Sequence, residues 1–110
     1  MIADTPNPPY YAVIFSSEQS ENTEGYAAMA ELMAKLAREQ SGFLGMESAR
    51  NEIGITVSYW KDLDSIKAWK EHSDHLVAQN KGRSEWYSHY KTRITKVERD
   101  YSFSSDLREG

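Results

Sequence analysis

Cysteine is absent from the 110 residues. That excludes disulfides, thiolate nucleophiles, iron–sulfur clusters and Cys-ligated zinc, and is compatible with a reducing cytoplasm, where the chain is expected to reside. Proline is scarce, and all three residues (Pro6, Pro8, Pro9) fall within the first nine positions. Because proline fixes φ and removes a backbone donor, residues 1–9 are expected to form an extended arm. No apolar run approaches the ~20 residues of a membrane span. The N-terminus has neither the basic n-region nor the apolar h-region of a secretory signal. Positive charge is also short: 13 Lys+Arg stand against 17 Asp+Glu, a net charge of −4. That balance argues against a nucleic-acid partner and against an anionic membrane. GxGxxG, P-loop, GxSxG and HExxH motifs are missing. Any oxidation is therefore expected to run without a protein-bound redox cofactor.

What is present reads as one small domain, residues 10–101, followed by a polar tail at 102–110. Tyr10–Phe15 (YYAVIF) is aromatic and partly β-branched, and reads as a first strand. A polar connector with Thr23 as an N-cap candidate leads to a helix over about Glu24–Gln40. At about 100° per residue, Tyr26, Met29, Ala30, Leu32, Met33, Leu36 and Ala37 share one arc, so the two methionines read as core. Gly42 supplies a left-handed stop. Phe43–Arg50 and Ile53–Trp60 read as a hairpin pair. In the second of these, Ile53, Ile55, Val57 and Tyr59 are expected to meet the helices. Gly54, Thr56, Ser58 and Trp60 form a small, polar face that suggests a lined cavity or a facing sheet. Asp62 is a good N-cap for a second helix, with Leu63, Ile66, Trp69, Leu76 and Val77 on its apolar arc, and Gly82 breaks it. A short helical turn, SEWY, and a last strand over Tyr90–Tyr101 follow. The order β–α–β–β–α–β predicts an α+β, ferredoxin-like fold with a four-stranded antiparallel sheet. Its second sheet face needs burial, which makes self-association economical.

The stretch from Tyr59 to Tyr90 holds all three tryptophans and all three histidines. Flat rings beside imidazoles suit a pocket for a planar organic molecule, and suit a packed core with a wet rim equally well. His72 and His75, three apart on one helical flank, are candidate proton acceptors, with a solvated helix face or a dimer contact as the plainer reading. A metal site built on HxxH lacks a marked third ligand. Trp69 is a core or pocket-wall ring able to stack on a substrate. Trp60 is placed to close one end of the same cavity. Arg83 is a candidate for binding an oxyanion or for capping a turn. Trp86, Tyr87, His89 and Tyr90 form an aromatic cluster that suits a domain edge or dimer seam, and Tyr87 joins the candidate substrate-binding residues.

QSGFLGMES at Gln40–Ser48, GITVSYWKDLDSIKAW at Gly54–Trp69, HSDHLVAQNKGRSEWY at His72–Tyr87 and RITKVERDY at Arg93–Tyr101 together resemble the antibiotic biosynthesis monooxygenase domain. The resemblance covers Tyr10 to Tyr101. It implies a dimeric α+β barrel, two sheets face to face, with a pocket between sheet and helices in each protomer. It further implies a cofactor-independent monooxygenase that uses molecular oxygen on a small aromatic or quinol-like substrate, with His75 or His72 taking a proton. A non-catalytic small-molecule binding or stress-related module of the same fold is the alternative. The haem-degrading branch has a strand-1 asparagine and a histidine farther along the second helix. This sequence has YYAVIF and, near the ligand position, Gln79, and both departures count against haem chemistry.

Overall fold

The computed structural model describes residues 1–79 and 86–105. Within them run β1 (Tyr10–Gln19), α1 (Tyr26–Arg38), β2 (Phe43–Arg50), β3 (Gly54–Trp60), α2 (Leu63–Gln79) and β4 (Tyr87–Val97). The sheet order is β2-β3-β1-β4, and every neighbouring pair is antiparallel. This is the ferredoxin-like α+β arrangement, with both helices on one sheet face. β1 extends four residues beyond the apolar YYAVIF run, through Ser16–Gln19. As a central strand it is paired there on both sides, Ser17 facing Gly54 on β3 and Tyr90 on β4. Ladder hydrogen bonds hold these polar residues in strand geometry without apolar side chains. β4 correspondingly begins at Tyr87 and ends at Val97, leaving Tyr101 outside it and 99% exposed.

Helix boundaries follow backbone chemistry. α1 is entered through Gly25 at φ 82°, with the Tyr26 N–H donating to the Thr23 carbonyl at 3.0 Å, so the expected Thr23 side-chain cap is not made. α2 has the cap its sequence announces: the Ser65 N–H donates to Asp62 Oδ1 at 2.8 Å. The Ser65 side chain first, and this backbone bond second, hold the Asp62 carboxyl below the usual range. Gly42, at φ 88°, turns the chain from α1 into β2, and its carbonyl accepts the Lys61 N–H at 2.9 Å. Gly82 and the first two residues of the expected SEWY turn lie outside the described residues, and Tyr87 of that turn begins β4.

The two faces of β3 are exchanged relative to the sequence reading. Trp60, with no exposed surface, packs with Ala37 of α1 and Ile66 of α2, so Gly54, Thr56, Ser58 and Trp60 face the helices. Ile55, Val57 and Tyr59 lie on the other face, and Ile55 is 44% exposed. The fully buried indole anchors this face to both helices, and a buried Trp removes more apolar area from water than any single aliphatic side chain on the other face. Leu63 and Leu32, both assigned to apolar arcs, are 52% and 39% exposed.

The chain ends cover one end of the open face. The Ala3 N–H donates to Glu47 Oε2 at 2.8 Å, and the Tyr59 hydroxyl donates to Glu47 Oε1 at 2.7 Å. The Tyr10 hydroxyl accepts from Thr5 Oγ1 at 3.1 Å and donates to Asp100 Oδ2 at 2.5 Å. Burial first, and the bond to Glu47 second, push the Tyr59 phenol up to about 12, so it stays protonated and acts as a donor. The two donors on Glu47, first the Ala3 N–H, hold its carboxyl below the ordinary range. A depressed folded pKa stabilises the fold above the unfolded pKa, and that stability is lost as pH falls through the folded one. Glu47→Gln is therefore expected to lower Tm by roughly 3 °C at neutral pH. The gap to the parent should close as melting is repeated down to acid pH; an unchanged gap there would assign the loss to shape and not to charge.

Candidate active site

A hollow of about 560 Å³ lies between the sheet and the helices, inside the ~300–1,000 Å³ range of small-molecule sites. Its floor exists because β3 presents Gly54, Thr56 and Ser58 there, side chains too short to fill the space beneath the helices. Val13, Phe15 and Ser17 of β1 and Tyr90, Thr92 and Ile94 of β4 complete the floor. α1 contributes Tyr26, Met29, Ala30, Met33, Ala34 and Ala37 to the roof. α2 contributes Ile66, Trp69, Lys70, Ser73, Asp74 and Val77, a run at helical spacing that marks one stripe.

Each end of the hollow is aromatic. At one, the Trp69 ring is stacked on buried Trp60, centroids 6.1 Å apart and planes 24° apart, with Phe43 edge-on to Trp60 at 5.4 Å. Trp60 Nε1–H donates to Ser58 Oγ at 2.9 Å, which satisfies its one polar atom and fixes the ring. At the other, Tyr87 lies edge-on to Phe15 at 5.5 Å and to Tyr26 at 5.7 Å, and Tyr90 lies 5.7 Å from Tyr87. Trp86 is buried, edge-on to Tyr26, and its Nε1–H donates to the Glu24 carbonyl at 2.8 Å, tying the start of β4 to the entry of α1.

Two cations among the described residues reach the lining. Lys70 is paired along α2 with Asp74, Nζ to Oδ2 2.6 Å. Arg50 donates to Ser17 Oγ at 2.5 Å, and its guanidinium carbon lies 5.7 Å from the centre of the Tyr26 ring. No cluster of three or more His, Asp or Glu able to hold a metal ion occurs among the described residues.

The residues singled out from the sequence separate clearly. Trp69 and Tyr87 line the hollow. Trp60 does not; it is core and supports Trp69 from behind. His72 and His75 are both exposed and absent from the lining, though the His72 ring lies 5.8 Å from that of Trp69. At about 100° per residue, His75 stands roughly 180° around α2 from Ile66, and His72 roughly 120°. Arg83 lies outside the described residues. Sequence reasoning passed over Arg50 and read Trp86 and Tyr90 as packing at a domain edge or dimer seam; all three line the hollow, as do Met29 and Met33, which were read as core, and Met29 is buried as that reading expects. Of the α2 stripe, Ile66, Trp69 and Val77 were read from the spacing, whereas Lys70 and Ser73 were not, and Leu63 and Leu76 of that arc are absent from the lining. Arg50 carried no such signal, because its place depends on strand register.

Comparison with known proteins gives a consistent picture. A family model described as monooxygenase af470-like matches residues 14–97. The uncharacterized protein YqjZ of Bacillus subtilis (strain 168) is 50% identical, over 98% of this chain and 96% of its own length. SnoaB, a cofactor-independent oxygenase from Streptomyces nogalater, has the same fold at a TM-score of 0.64 and 10% identity, over 86% of this chain and 97% of its own. A Chloroflexus aurantiacus protein assigned to the antibiotic biosynthesis monooxygenases superposes at a TM-score of 0.60 with 14% identity, over 86% of this chain and 99% of its own.

The different placement of the two stacked indoles has a measurable consequence. Trp60→Ala is expected to cost about 4 kcal/mol in denaturant unfolding, since it opens a void in a closed core. Trp69→Ala, at a wall already facing free volume, is expected to cost about half as much, roughly 2 kcal/mol. Equal losses would contradict the assignment of one ring to the core and the other to the wall.

Proposed function

This chain belongs to the monooxygenase af470-like family, and from that premise we propose that it is a cofactor-independent monooxygenase acting on a small aromatic or quinol-like substrate in the hollow between sheet and α2. The observation that carries the reading is the hollow itself, walled at each end by rings and floored by short hydroxyl side chains. A planar molecule can stack on Trp69, whose own orientation is set by Trp60, with Tyr87 and Tyr90 edge-on at the far end. An electron-rich phenolic substrate supplies the electrons that reduce O₂. The protein then contributes orientation and exclusion of bulk water. Arg83, by its place in the sequence, is the candidate to steady an oxyanion. A base must come within hydrogen-bond reach of its proton, directly or through one water. His72, beside Trp69 but outside the lining, can meet that condition only by a water relay. His75 stands about 60° farther around α2 from the hollow.

A specific feature favours the second reading, a binding module without turnover. The described lining holds no histidine, and its one carboxylate, Asp74, is paired with Lys70. Oxygen-electrode assays with substituted quinols separate the two. Turnover predicts O₂ uptake above buffer, and Trp69→Ala lowering kcat/KM by about tenfold or more, on the scale of one lost aromatic contact. The double variant His72→Ala/His75→Ala is expected to lower kcat by no more than a few-fold. Saturable quinol binding with no uptake would establish the module and end the oxygenase reading.

The proposed assembly is a homodimer in which the open sheet faces meet. Ile14, Ile55 and Val57 occupy that face beside the part covered by the chain ends, and Ile55 is 44% exposed. Light scattering on a sizing column is expected to give twice the chain mass of 12.6 kDa. Val57→Lys places a cation opposite Glu47, its register partner, which a single chain tolerates and an apolar seam does not. It is expected to yield the 12.6 kDa species; a parent protein already of that mass would overturn the dimer.

A further inference from the structure

Arg50 ends β2, and its side chain does not follow the strand outward. It lies back across β3, over Gly54, and reaches β1, where it donates to the hydroxyl of Ser17. Gly54 makes this path possible: a Cβ built there falls within the space taken by the Arg50 guanidinium. Ser17 is 2% exposed, so the acceptor end of the bond is fixed in the sheet. From above, the Tyr26 ring of α1 faces the guanidinium carbon at 5.7 Å. Three elements thus hold one cation in place, and all four residues line the hollow.

Its charge is not answered within the described residues. The two groups against Arg50 are a neutral hydroxyl and a neutral ring, whereas Lys70, the other cation of the lining, has Asp74 at 2.6 Å. An arginine presents five N–H donors in a planar fork, and a single bond to Ser17 leaves most of them unused. Arg50 lines the hollow and is also exposed, so it stands where the cavity opens to solvent. A guanidinium at the mouth of an aromatic cavity, with no carboxylate against it among the described residues, is matched by a ligand that brings one.

We propose that Arg50 is the anion-binding residue of this cavity and that its ligands are planar aromatic carboxylates, the rings lying inward along the hollow and the acid group on the guanidinium fork. Gly54, Ser17 and Tyr26 are the positioning residues that hold the fork. This deepens the reading of the hollow as a substrate site by naming the substrate class, and it rests on that reading only for occupancy of the cavity, not for oxygen chemistry.

Calorimetric titration of the full chain with 2-naphthoate and with its uncharged isostere 2-naphthamide tests it. The parent protein is expected to bind the acid about tenfold tighter than the amide, the scale of one charge-assisted hydrogen bond at a solvent-exposed arginine. Arg50→Gln is expected to abolish the preference, lowering acid affinity about tenfold while the amide still binds within a few-fold of its parent affinity, and that retained amide binding shows the cavity intact. Gly54→Ala keeps the charge and displaces the fork, so the preference is expected to fall by several-fold there too. Equal affinity of acid and amide for the parent, a preference surviving in Arg50→Gln, or no binding of either naphthyl probe each overturns the proposal. A Gly54→Ala variant with full preference overturns the positioning role. Failure of quinols both with and without a ring carboxylate to raise O₂ uptake would end the oxygenase reading and leave the acid preference standing; loss of the preference would leave oxygen chemistry untouched.

Discussion

The stacked pair Trp60 and Trp69 is the constraint on which the rest depends. Trp60 lies at one end of β3 with Ala37, Ile66 and Phe43 around it, so both helices are anchored to the sheet at that end. Toward the other end of the same strand the side chains shrink to Ser58, Thr56 and Gly54. The helices, of 13 and 17 residues, curve only gently as units, so they do not drop into the space that short side chains leave. A hollow is therefore the geometric result of placing one large ring at the end of a row of small ones. The second indole closes the anchored end of that hollow and borrows its orientation from the first.

Much of the architecture was legible before any coordinates. The element order, the bounds of β2 and the Asp62 cap could be read because they rest on local chemistry: alternation, left-handed glycine, a carboxylate one residue before a helix. The mixed polarity of Gly54, Thr56 and Ser58 even suggested a cavity. What could not be read was which face of β3 meets the helices. Local alternation is symmetric between the two faces, and four apolar residues on one side outvoted one indole on the other. Tertiary packing decided otherwise. The length of β1 was hidden for a related reason: Ser16 and Ser17 are strand because both neighbours pair with them, and Glu18 and Gln19 because β4 does. Arg50 was unreadable as a cavity residue, since its path over Gly54 follows from inter-strand register and not from sequence spacing.

The histidines show how a chemically attractive residue can be placed by helix phase alone. α2 has one stripe to give the hollow, and Ile66, Trp69, Ser73 and Val77 occupy it. Residues at 72 and 75 fall on the flank and back of the same helix, whatever their side chains are suited to do. A titratable group in a sequence is a candidate only after its phase has been checked against the apolar residues around it. By the same test, Lys70 and Asp74 share the stripe, and their mutual pairing explains how two charges are tolerated along an otherwise apolar wall.

A hollow of about 560 Å³ also sets an energetic condition. If it were dry and sealed, the ~24 cal/mol per Å³ measured for engineered apolar cavities would make it cost about 13 kcal/mol, as much as the entire stability of a small domain. The fold can hold such a space only if water or a ligand occupies it. The hydroxyls of Ser17, Thr56, Ser58 and Thr92 and the guanidinium of Arg50 are the groups that allow this, because they offer hydrogen bonds to water when the space is otherwise empty. The same groups then bias which ligand displaces that water. An uncharged ring system must strip water from the guanidinium and gives nothing back, whereas an anionic one restores the lost bonds. The polar floor that lets the unoccupied fold exist is thus also the source of its selectivity.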